Sequence, residues 1–98
     1  MNVQFTARHF KAHEGLKQYA MGQIETLKKY YDGILNGTVT LSFEKVRDSV
    51  KIAEISLKVY GTNLVAAEKS EDFYKSIDVA VNKLERQLVK YKGKRRKK

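Results

Sequence analysis

The sequence predicts an α+β domain: a two-layer β-α-β-β-β-α sandwich with a four-stranded mixed sheet and both helices on one face. Three observations predict it. Three segments alternate apolar and polar residues with period two, two longer ones repeat apolar residues every three or four positions, and turn-like residues separate them.

In residues 2–8, Val3, Phe5 and Ala7 alternate with Gln4, Thr6 and Arg8, which predicts a first strand with one buried face. Leu16, Ala20, Ile24, Leu27 and Tyr31 then mark one face of a helix over 14–31, weakened by Gly15 and Gly22 and ended by Asp32-Gly33. Val39, Leu41 and Phe43 give a second strand, and Ala53, Ile55, Leu57 and Val59 a third. Ile52 breaks that alternation by falling on the polar side. Arg47-Asp48-Ser49 and Gly61-Thr62-Asn63 read as hairpin turns, and 63–68 as a short fourth strand. Ser70 reads as an N-cap, with Glu71 and Asp72 in the first turn of a helix that runs to residue 92 and stops at Gly93. Its apolar residues Phe73, Ile77, Ala80, Val81, Leu84, Leu88 and Tyr91 fall within a sector of about 100°. The first two strands are expected to pair in parallel across a right-handed crossover, and the others antiparallel. Residues 1–92 are therefore expected to form one domain and 93–98 a flexible basic tail.

Composition narrows the function. The chain has 98 residues, 20 Lys and Arg against 11 Asp and Glu, a net charge of +9, and no Cys, Pro or Trp. Without cysteine there is no disulfide, thiolate zinc site, iron–sulfur cluster or thiol nucleophile. The N-terminus lacks the basic-then-apolar pattern of a signal peptide, and no apolar run approaches the ~20 residues that span a bilayer. A cytoplasmic protein with no membrane partner is expected. No Gly-rich phosphate loop, paired carboxylates or Ser/His/Asp arrangement stands out, so no enzyme, cofactor or small-molecule substrate is expected. His9 and His13 lie four apart, but one ends a strand and the other begins a helix. With Glu14 as the only near further ligand, no metal site is predicted, and His9 reads as a loop donor or a packed ring.

The charge is concentrated. From Lys83 onward nine residues are positive and one, Glu85, is negative. Such a concentration suits a polyanion, because neutralised phosphates release counterions, although a solubilising tail would carry the same residues. On the wheel of the second helix, with Lys83 at zero, Lys90 lies at about −20°, Arg86 at about −60° and Lys75 at about −80°. Asp78, Glu85 and Glu71 form a separate strip. A merely solubilising face would mix the signs for i,i+4 pairs, and would not need Val79 and Val89 outside the buried sector. The stripe leads on into Lys92, Lys94, Arg95 and Arg96. Basic residues are not interleaved with aromatics on the open sheet face; Tyr19, Tyr30, Tyr31, Tyr74 and Tyr91 read as packing, and Tyr60 as the exposed one.

Residues 72–92, DFYKSIDVAVNKLERQLVKYK, resemble the second helix of the ribosome hibernation promoting factor family, which includes the ribosome-associated inhibitor and was once called sigma-54 modulation protein. The pattern there is D-M-Y-x-A-I-D, then K-L-E-R-Q-L-x-K-Y-K. Thr6-Ala7-Arg8-His9 is similar to the family's T-G-R-H, and Glu54 to its third-strand acidic residue. The resemblance covers essentially the whole chain. It implies a fold like that of double-stranded-RNA-binding domains and a protein that binds the small ribosomal subunit through rRNA. Such a protein occupies the mRNA and tRNA sites and silences translation under stress or in stationary phase. RNA contacts carry over to Lys83, Arg86 and Lys90, more loosely to Lys92 and the tail, and by pattern to Arg8 and His9. The sequence departs from the pattern in Phe73 for Met, Ser76 for Ala, Ala7 for Gly, and His13 for a Thr N-cap. It stops six residues after Lys92, as the family's short forms do. Short forms act in ribosome dimerisation beside a separate modulation factor, which the resemblance raises as a further partner. A generic double-stranded-RNA binder and a sigma-factor modulator are the alternative readings.

Overall fold

The computed structural model describes residues 2–44 and 50–96, the last two of these by backbone alone. Strand β1 (Asn2–Ala7) is followed by helix α1 (Glu14–Glu25), a 3-10 turn (Thr26–Lys29), strands β2 (Asn36–Phe43), β3 (Lys51–Val59) and β4 (Thr62–Ser70), and helix α2 (Phe73–Arg96). The sheet order is β1-β2-β3-β4, parallel between β1 and β2 and antiparallel elsewhere. The predicted α+β sandwich is thus the observed one.

Register explains the two faces. The row Phe5–Val39–Ile55–Ala66 crosses all four strands on the helix side, while Thr6–Thr40–Glu54–Ala67 crosses them on the open side. The strands bury one face because their period-two apolar sets align at this register; a one-residue slip would turn each set to water. Helix α2 lies over β3 and β4, and α1 over β1 and β2. Ile24, Leu27, Val39, Leu41, Ile55, Leu57, Ile77, Leu84 and Leu88 fill the space between the layers without exposure. Ile52, out of phase in the sequence, stands half-buried on the open face opposite Ser42 and Lys69.

The element ends are where local chemistry overrides the sequence reading. Helix α1 gives way to 3-10 geometry at Thr26, whose hydroxyl donates to the Gln23 carbonyl at 2.6 Å, a back-bond that bends helices. His13 caps α1 in the place of a Thr: its Nδ1 accepts the Leu16 N–H at 3.2 Å. Ala7 stays in the strand, and the left-handed residue is His9, with φ 65°. The β3–β4 turn is Tyr60-Gly61 rather than 61–63; Gly61 takes φ 87°, and β4 runs to Ser70. Ser70 therefore ends a strand. The cap of α2 is Asp72, whose Oδ1 accepts the Tyr74 N–H at 3.0 Å. Ser70 instead shares a 2.7 Å hydrogen bond with the buried Ser76 hydroxyl, which donates to the Lys51 carbonyl at 2.9 Å and ties the start of α2 to β3. Gly93 does not stop α2. The helix passes through it to Arg96, so the expected tail is helical at 93–96, and residues 97–98 lie outside the described residues. Lysines and arginines around Gly93 propagate a helix well and complement its negative C-terminal dipole, which outweighs one glycine. The predicted turn at 47–49 also lies outside the described residues.

The helices hold each other through polar groups as well as through the core. The Tyr19 hydroxyl donates to the Asp78 carboxylate, and Gln23 Nε2 donates to the same oxygen at 3.0 Å. Tyr19 also meets Tyr74 edge to face, with centroids 4.9 Å apart. The bond to Asp78, helped by burial, pushes the Tyr19 phenol from 10 up to about 12. Folding thus favours the protonated phenol, and this contribution is whole below pH 10 and lost as pH rises through 12. The expected outcome is a fall in the thermal unfolding midpoint between pH 10 and 12 that is shallower in Tyr19→Phe. Parallel curves for the two proteins would contradict it.

Candidate nucleic-acid interface

Helix α2 carries the candidate residues, and its buried stripe sets their directions. With Ile77, Leu84 and Leu88 turned to the sheet, one flank runs along the edge strand β4 and the other faces α1. The two flanks differ in chemistry.

Along β4, three residues at four-residue intervals close on the strand. Lys83 pairs with the Glu68 carboxylate, Gln87 Nε2 donates to the Val65 carbonyl at 3.1 Å, and the Tyr91 hydroxyl donates to the Tyr60 carbonyl. Glu68 stands on the helix side of β4, in register with buried Ala53, and its side chain is 19% exposed. A carboxylate at that depth wants a cation, and Lys83 is the ridge residue nearest the buried stripe. Sequence reading treated Lys83 as a free cation and passed over Glu68. The signal was present in the alternation Leu64, Ala66, Glu68, which places Glu68 inward within the predicted strand 63–68.

Outward of this seam lie Lys75, Arg86, Lys90 and Lys94, all exposed and none in an ion pair among the described residues. Arg86, Lys90 and Lys94 follow one another at a rise of about 6 Å per four residues, so they make a straight row of cations. Lys75 stands about 16 Å before Arg86 along the same helix. Lys92 does not join them. It lies on the α1 flank, half-buried, with Lys29, Tyr30, Val89 and Gly93 around a shallow cavity. Arg95 and Arg96 complete the last turn of α2, and their side chains lie outside the described residues. Arg8 and His9 are exposed at the opposite end of the domain, where Phe10 stacks on Phe73 at the start of α2. About 20 Å of helix separates that end from Arg86.

The α1 flank explains the segregation of sign. Asp78 accepts from Tyr19 and Gln23, and Glu85 lies beside Tyr30, whose phenol is pushed up by burial and by that carboxylate. Asp78 is thus turned toward α1 and Glu85 toward Tyr30, while Lys75, Arg86, Lys90 and Lys94 lie outward on the same helix. The open sheet face offers no comparable charge: Gln4, Thr38, Ser56 and Val65 form one row, and Asn36, Lys58 and Asn63 lie together in another. Among the described residues no three His, Cys, Asp or Glu come together as a metal site would require, and no helix is long and apolar enough to cross a membrane.

Known proteins share this fold. The profile of the family described as sigma 54 modulation protein / S30EA ribosomal protein matches residues 3–96. A ribosome hibernation promoting factor of Pseudomonas putida is 32% identical over 94 residues, covering 96% of this chain and 89% of that protein. A ribosomal subunit interface protein from Coxiella burnetii superposes with a TM-score of 0.85 at 28% identity, over 95% of this chain and 99% of that one. The N-terminal domain of Protein Y from Thermus thermophilus superposes at 0.81, also at 28% identity, over 93% and 99%.

The seam with β4 has a measurable consequence. Glu68→Gln leaves Lys83 without its carboxylate and frees one more cation beside the row. We expect later elution from a heparin column, with a stability loss of no more than about 1 kcal/mol because the Lys83 side chain is half exposed. Adding Lys83→Gln to Glu68→Gln returns elution to the wild-type position. Unchanged elution of Glu68→Gln alone would show that the pair does not neutralise Lys83.

Proposed function

The chain belongs to the sigma 54 modulation protein / S30EA ribosomal protein family, and from that premise we propose that it silences translation by binding the small ribosomal subunit through its rRNA and occupying the mRNA and tRNA sites. The observation that carries this reading is the row Arg86, Lys90 and Lys94 with Lys75, exposed and in no ion pair among the described residues, on a helix two of whose acids, Asp78 and Glu85, meet tyrosines. A straight line of cations suits a phosphate backbone, and each neutralised phosphate releases counterions. Duplex RNA is read largely by shape and phosphate position, which a rigid helix can follow without contacting base edges. Lys83 contributes beside Glu68, and Arg8, His9, Lys92, Arg95 and Arg96 belong to the wider contact surface under this reading.

Silencing then needs no chemical step. The row holds the RNA, and the folded body, residues 1–92, fills the channel in which messenger and transfer RNA would lie. The place of action is the cytoplasm, where ribosomes translate, under stress or in stationary phase. The relatives named for ribosome hibernation and for the subunit interface support the target. A separate ribosome modulation factor is the second partner, needed if bound ribosomes are to pair.

Sucrose-gradient sedimentation with purified ribosomes tests this. The wild-type protein is expected with the small subunit, and Arg86→Glu with Lys90→Glu is expected to leave it at moderate salt. If both residues touch phosphates, the slope of log affinity against log salt flattens by about 1.4–1.8 for the pair. Unchanged co-sedimentation of the double variant would overturn the mechanism. Competition by naked duplex RNA at equal concentration would favour a generic duplex binder, and a stoichiometric sigma-factor complex in RNA-free extract a sigma modulator.

A further inference from the structure

The α1 flank of α2 holds a feature that the row of cations does not explain. Val89 is 56% exposed on a helix whose other large aliphatic residues are buried or half-buried. It lines a shallow cavity of about 330 Å³ with Lys92 and Gly93 of α2 and with Lys29 and Tyr30, which end the 3-10 turn and follow it. Tyr30 is half-buried, and Lys29 Nζ stands over its ring, 5.5 Å from the centroid. Gly93 leaves the wall open: a Cβ there would meet nothing within 4 Å, although glycine is among the least favourable residues inside a helix. Arg86 and Lys90 border Val89 on its outward side. The carboxylate of Glu85 lies beside Tyr30.

We propose that this cavity is a stacking subsite for a single unpaired RNA base, held against Tyr30 and Val89 with its neighbouring phosphates on Lys29 and Lys92. The inference rests on the RNA-binding reading above and deepens it. Charge complementarity selects the occupant. An apolar protein side chain would use Val89 and Tyr30 but gain nothing from the four cations around them. A nucleotide uses both, because every base has a flat face that stacks on an aromatic ring and every linkage carries a phosphate. Lys29, whose Nζ stands 5.5 Å from the Tyr30 centroid, is on a flexible side chain that can give way to a base and move to its phosphate. Helix α2 would then sit where duplex RNA opens, gripping backbone with its outward row and taking one extruded base on the α1 side.

The test uses two RNA hairpins of equal charge, one with a single bulged adenosine and one with an abasic bulge, titrated by fluorescence anisotropy. Wild-type protein is expected to prefer the adenosine bulge by about tenfold, the size of one base–aromatic stack. Gly93→Leu fills the cavity without changing charge and favours the helix; it is expected to melt no lower than wild type and to bind both hairpins as the wild type binds the abasic one. Tyr30→Leu is expected to lose the preference as well. Equal binding of the two hairpins by wild-type protein, with the salt dependence intact, would overturn the subsite while leaving the cation row standing, and would assign Val89 and Tyr30 to a protein partner. A preference that survives Gly93→Leu would seat the base elsewhere and also overturn it. Binding to neither hairpin at low salt would overturn the RNA reading itself.

Discussion

The direction of every candidate side chain on α2 depends on which way its buried stripe is turned. Phe73, Ile77, Ala80, Leu84 and Leu88 recur at intervals of three and four and pack on β3 and β4. Burying a Leu or Ile side chain is worth roughly 1.5–3 kcal/mol, so these residues together outweigh any surface charge in choosing the helix's rotation. Once they face the sheet, the position of every other side chain follows at 100° per residue. Glu68 and Tyr19 then meet the partners that the rotation brings to them, Lys83 and Asp78.

The same rotation separates residues that hold the fold from residues left over. On the β4 flank, Lys83 pairs with Glu68, Gln87 binds the Val65 carbonyl, and Tyr91 binds the Tyr60 carbonyl in the turn before β4. On the α1 flank, Asp78 and Glu85 face tyrosines. Arg86, Lys90 and Lys94 have no such partner among the described residues. Clustered like charges repel one another, and a polyanion bound as proposed above would relieve that repulsion.

Much of this was legible in the sequence, because the strong signals are periodic. Alternation placed Val39, Leu41, Ile55 and Leu57 in the core, and the wheel placed the α2 stripe and the row Lys75, Arg86, Lys90. What was not legible depends on tertiary partners or on competition at element ends. Ser70 and Asp72 are both good caps; only the extension of β4 through Ser70, and the bond of Ser70 to Ser76, leaves the cap to Asp72. Gly93 is a common helix stop, yet here the surrounding cations carry the helix through it. Lys92 follows Lys90 in sequence but turns 200° from it, so reading the tail as a continuous run of charge hid its place on the other flank.

Val89 and Lys92 show why a helix with two outward chemistries matters for recognition. A row of cations by itself binds any phosphate backbone, and its affinity falls steeply with salt. Stacking is nearly independent of salt, because it involves no counterion release. A surface that combines the two would keep part of its grip at ionic strengths where the row alone is screened. It would also distinguish an opened stretch of RNA from a continuous duplex. The proposed subsite would place both within one turn of α2, since Lys90 of the row and Val89 of the cavity are adjacent residues about 100° apart on the helix.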